Sequence, residues 1–98
     1  MNSFISREIE IMDGEFVVFK FTWDEQKSKR NVEKGRPSFE EFVDLFTENY
    51  SSTIQRDSPK ENTEDRQEIL LIDKNGKKWK MVFVVRNHIV RVITCHRK

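Results

Sequence analysis

The segment DRQEILLIDKNGKKWKMVFVVRNHIVRVITCHRK, residues 65–98, decides the fold. It holds three apolar runs separated by two short polar breaks, Lys74-Asn75-Gly76 and Arg86-Asn87. Within the middle run, Trp79, Met81, Phe83 and Val85 recur at every second residue, the period of a strand with one covered face. Strands are therefore expected over 66–73, 78–86 and 88–96. Connections this short join antiparallel neighbours, so the three form a meander. In the last strand, alternation sends Arg91, Ile93, Cys95 and Arg97 to one face. His88, Val90, Val92, Thr94 and His96 go to the other. Arg91 and His96 would share a face only if the strand bulged.

Upstream, the period changes. Phe39, Phe42, Val43 and Phe46 are spaced i, i+3, i+4, i+7, the stripe of a helix packed on a core. Ser38 and Glu41 form an S-x-x-E capping box in front of them, so a helix is expected over 38–47. A second helix is expected over residues 24–35, with Asp24 as N-cap and Gly35 as stop. Its only aliphatic is Val32, which leaves it little core face. Lys27, Asn31 and Lys34 fall along one edge of it and make that edge basic. Before it, EFVVFKFTW (15–23) aligns Val17, Phe19, Phe21 and Trp23 on one strand face. Residues 4–12 alternate weakly, and Asp13-Gly14 is a hairpin turn signal. The polar stretch 47–65 is expected to hold a short strand near Thr53–Gln55. The expected architecture is α+β: a twisted antiparallel sheet with two helices from the first half of the chain on one face. One domain is expected over the 98 residues, with residues 1–15 as an N-terminal extension to a core of 16–98.

Apolar and charged residues each make up 36% of the chain, a thin core that eight Phe and two Trp partly offset. Net charge is only +1, but residues 27–37 carry five basic groups against one acid, and residues 69–98 carry eight against one. If these segments meet in the fold, they create a local field that attracts phosphate. A lone cysteine, Cys95, reads as a buried strand residue and fits a reducing, cytoplasmic setting. No apolar run reaches the length of a membrane span, and residues 1–14 lack the pattern of a secretion signal. One Cys and two His at wide spacing match no zinc pattern, and no Gly-rich phosphate loop occurs. Candidate chemistry therefore rests on the basic residues and on His96, a side chain suited to proton transfer near neutral pH.

The stretch FTWDEQKSKRNVEKGRPSFEEFVDLF (21–46) resembles the opening of the BrnT family of bacterial toxins. The correspondence runs through Trp23-Asp24, Lys27, Asn31, Lys34 and Ser38-Phe39-Glu40-Glu41. Glu64-Asp65-Arg66 is similar to the family's later Glu-Arg element, and VRVITCH (90–96) to its closing strand. The resemblance implies a RelE-like fold and ribonuclease toxicity that inhibits translation without metal or cofactor. It also implies neutralisation by a cognate antitoxin that binds DNA, in an assembly left open as a dimer or a heterotetramer. Under it, His96, Arg91, Arg66 and Lys34 form the catalytic group, and Lys27, Arg97 and Lys80 bind the RNA substrate. Lys27 or Lys34 is the alternative to His96 for moving protons. Two departures stand out: Gly35-Arg36 replaces a His-Gly pair, and His96 occupies the place of the final Arg. They keep open a second reading, a non-catalytic module that binds nucleic acid or protein.

Overall fold

In the computed structural model, which describes residues 4–13, 15–57 and 65–98, the sheet is built outward from the C-terminal meander. Six strands are present: β1 (Phe4–Asp13), β2 (Glu15–Asp24), β3 (Ile54–Asp57), β4 (Gln67–Ile72), β5 (Lys78–Arg86) and β6 (Ile89–Arg97). Their order across the sheet is β1-β2-β6-β5-β4-β3. Strands β4, β5 and β6 pair in sequence, as the short breaks require. The expected hairpin of β1 and β2 forms over ten residue pairs; Gly14 itself lies outside the described residues. The two halves join through a parallel pair, Lys20–Thr22 of β2 beside Ile89–Arg91 of β6.

Two helices follow β2. Helix α1 (Glu25–Glu33) starts where Asp24 accepts a hydrogen bond from the Gln26 backbone N–H. It ends at Gly35, whose φ of 78° is accessible to glycine at little cost. The Gly35 N–H donates to the Val32 carbonyl and the Arg36 N–H to the Asn31 carbonyl, a Schellman stop. Helix α2 (Phe39–Glu48) carries both halves of the Ser38/Glu41 capping box. All four stripe residues, Phe39, Phe42, Val43 and Phe46, are buried.

They pack on the sheet face that presents Phe21, Trp23, Ile69, Leu71, Met81, Phe83, Val92 and Cys95. Phe46 sits edge-on to Phe19, Phe21 and Tyr50, with ring centroids 5.3–5.6 Å apart. Residues 1–15, read as an extension, supply β1, and its Ile9 and Ile11 join the same core. Among the described residues no helix is long and apolar enough to cross a membrane.

One local reading needs correction. The β5–β6 turn is centred on Asn87 and His88, one residue later than expected. Both have positive φ, 53° and 65°, as a two-residue type I′ turn demands. His88 is therefore a turn residue and not a member of the last strand. Helix α1 has the small core face that its composition implies, and that face is polar: Ser28 and Asn31 are covered, while Val32 is 51% exposed.

Candidate functional site

The arrangement of cations follows from one irregularity in β6. Lys80, Met81 and Val82 oppose His96, Cys95 and Thr94, but Phe83 opposes Val92. Ile93 is thus an extra residue, a β-bulge that shifts the alternation by one. Directly opposed residues of an antiparallel pair share a face. Val84 opposes Arg91, Val82 opposes Thr94 and Lys80 opposes His96, so Arg91, Thr94 and His96 all lie on the face away from α2. This overturns the expectation that Arg91 and His96 point to opposite sides. Arg97 remains on the α2 side, its guanidinium carbon 5.2 Å from the centre of the Trp79 ring. Arg91 and Arg97, expected to share a face, are separated by the sheet.

Helix α1 completes the site. Strand β2 ends at Asp24 and its pairing with β6 stops at Arg91, so the later part of β6 has an open edge. Asn31 reaches that edge. Its Nδ2 donates to the Cys95 carbonyl and to the Pro37 carbonyl, both at 2.8 Å. The Ser28 Oγ accepts from the Phe39 N–H at 2.9 Å. An open strand edge and a bend at 36–38 need hydrogen bonds more than apolar contact, which explains why so polar a helix has a buried face.

Docked this way, α1 aims Lys27, Arg30 and Lys34 towards Ile93. One hollow is lined by these three with Asn31, Phe39 and Ile93. An adjoining hollow is lined by Lys27, Arg66, Val84, Arg86, Arg91 and Ile93. Their volumes, about 230 and 220 Å³, fall below the ~300 Å³ at which enclosed small-molecule pockets begin. Both open to solvent, a shape suited to the backbone of a polymer. Among the described residues, six cations and no carboxylate line the two hollows.

Of the residues nominated from sequence, Lys27, Lys34, Arg66 and Arg91 come together here. Arg30 and Arg86 were missed. Arg30 is legible in the sequence, being one turn from both Lys27 and Lys34; Arg86 reads there as part of a turn. Arg91 also lies 5.1 Å from the centre of the Phe4 ring, a cation–π contact with β1. His96 is on the right face but, across the bulge, lies four residue rows from Arg91, about 13 Å along the strand. It flanks the groove and does not line it. Lys80 opposes His96, and its ammonium lies 3.8 Å from the carboxylate of Glu68.

Cys95 is fully buried, and burial pushes its thiol well above the usual cysteine range. It stays protonated and is no nucleophile. Among the described residues no group of three or more His, Cys, Asp or Glu is placed to hold a metal ion.

A family model described as "Ribonuclease toxin, BrnT, of type II toxin-antitoxin system" matches residues 23–98. No curated protein and no solved structure matches the chain.

Proposed function

The chain belongs to the BrnT family of ribonuclease toxins of type II toxin–antitoxin systems, and on that premise we propose that it cleaves RNA in the cationic groove over Ile93, without a metal ion, and so inhibits translation. The observation that carries this reading is the convergence of Lys27, Lys34, Arg66 and Arg91, from three separate segments, on one groove. The ribose 2′-hydroxyl gives up its proton to water in the open groove and attacks the adjacent phosphorus; the 2′,3′-cyclic phosphate forms as the bond to the leaving 5′-oxygen breaks. Negative charge grows on the phosphorane oxygens, where fixed cations act most strongly. Arg66, Arg86 and Arg91 supply them from the strand side. Lys27 lines both hollows and is the group best placed to donate a proton to the leaving oxygen. Lys34 and Arg30 hold the next stretch of backbone.

His96 carries a second reading, favoured by its sharing a sheet face with Arg91. In it, the proton donor sits on the strand and Lys27 only binds. The discriminating experiment is a cleavage assay with purified protein in excess EDTA. Products should end in 2′,3′-cyclic phosphate or 3′-phosphate, and a substrate lacking the 2′-hydroxyl should survive. Lys27→Ala should lower the rate by about 10²–10⁴-fold, and His96→Ala by less than tenfold. The reverse ranking moves the acid to β6. Loss of cutting in EDTA removes metal independence from the account.

As a type II toxin, the protein has an antitoxin as its partner. We infer that the partner covers the groove, since a surface this basic is where neutralisation blocks RNA most directly.

A further inference from the structure

Glu68 has no part in the reading above, yet it is the most deeply buried charged residue described, 2% exposed. It lies on β4, one strand in from the β3 edge of the sheet. Its cross-strand neighbours are Arg56 on β3 and Val82 on β5. One carboxylate oxygen accepts a hydrogen bond from Arg56 Nε at 3.1 Å, and the other lies 3.8 Å from Lys80 Nζ. The carboxylate is covered, but the two cations are not: the Arg56 side chain is 57% exposed and that of Lys80 37%.

A buried ion pair of this kind contributes little net stability, because desolvation of the carboxylate offsets the attraction. What it does supply is position. It holds two long, flexible cations at fixed points, so less freedom is lost when an anion binds them. Those points lie on the face that carries Arg91, with Lys80 directly opposite His96. From Arg91 to the row of Lys80 is about 13 Å of strand, the next stop for a polymer leaving the groove on this side. The three groups together keep one net positive charge facing solvent.

We propose that Glu68 is a positioning residue that fixes Lys80 and Arg56 as a second phosphate-holding station, so that bound RNA runs from the groove across β6, β5 and β4. The inference rests on the proposed RNA-binding reading of the groove and extends it to a strand path and its direction.

The test measures binding of non-cleavable 2′-O-methyl RNA, a trinucleotide and an octanucleotide, over a range of salt. The trinucleotide fills the groove alone, and the octanucleotide reaches the second station. Lys80→Ala should weaken octanucleotide binding by about three- to tenfold, lower its salt slope by about one, and leave the trinucleotide unchanged. Glu68→Gln should weaken the octanucleotide in the same sense, and Glu68→Asp should recover part of the loss. Arg91→Ala should weaken both ligands. A purely structural Glu68 would lower the melting temperature of Glu68→Gln without changing either affinity, and that result overturns the inference. So does octanucleotide binding indifferent to Lys80→Ala, while the groove reading survives. Failure of the unmodified protein to bind either RNA overturns both.

Discussion

Asn31 bears more of the architecture than any charged residue. One amide satisfies two carbonyls on different segments and sets where α1 lies against β6. Asn31→Ala leaves both carbonyls without that donor inside the protein, a loss of about 1–3 kcal/mol. Because the same contact aims Lys27 and Lys34 at the groove, RNA cleavage should fall further than thermal stability, measured by melting and turnover on one preparation. Asp73 is a second residue with a defined task. Its Oδ2 accepts from the Trp79 indole N–H at 2.8 Å, and its Oδ1 accepts from the backbone N–H groups of Lys77 and Asn75. The Trp79 bond first, then the backbone bonds, hold its carboxyl below the usual carboxylate range. A depressed native pKa stabilises the fold at pH above the unfolded value, near ~4. That contribution is lost as pH falls through the native value. Melting temperature followed from pH 6 to pH 2 should therefore drop less steeply for Asp73→Asn than for the unmodified chain. Neither role was visible in the sequence. Asn31 was seen only as one step of a basic edge, and Asp73 as the close of a strand, because spacing says nothing about which carbonyl or indole will be near.

At the scale of the element, α2 was read almost to the residue, since four apolar side chains and a capping box all specify the same helix. Phe42→Ala should cost about 3–5 kcal/mol by denaturant unfolding, as Phe42 is wholly buried against the sheet and Trp79. A loss under about 0.5 kcal/mol, the range of surface sites, would contradict the packing. The last strand starts and ends one residue later than its sequence suggests, and half of it faces the other way. Val92-Ile93-Thr94 are three β-branched residues in a row, all good strand formers. No glycine or change of polarity marks where the extra residue sits, so simple alternation was carried straight through the bulge. The β5–β6 turn was displaced for a similar reason. Asn87 announces a turn, but His88, which adopts positive φ more readily than most side chains yet far less readily than glycine, gives a weaker signal. Replacing His88 with Gly should relieve that conformation and raise stability by roughly 1 kcal/mol, read as a higher melting temperature. A neutral or lower value would mean that the His88 side chain makes contacts worth the strain.

Across the whole molecule, the sheet separates two cationic populations that are neighbours in sequence. Arg97 is stacked on Trp79 on the α2 side, and Arg91 faces the groove on the other. The uneven charge of the chain foretold a basic surface. The convergence itself came from tertiary structure: β2 pairs with β6, and α1 then closes the edge that β2 leaves open. Co-expression with the cognate antitoxin should yield a complex that stays together on size exclusion and no longer binds RNA. Separate elution would contradict the proposal that the partner covers the groove. The most direct test of the account compares Arg91→Ala with Arg97→Ala in the EDTA cleavage assay, each variant first shown to melt like the unmodified protein. The groove assignment predicts a rate loss of about 10²–10³-fold for Arg91→Ala and less than threefold for Arg97→Ala. Equal losses, or a larger one for Arg97→Ala, would contradict it and place the chemistry on the opposite face of the sheet.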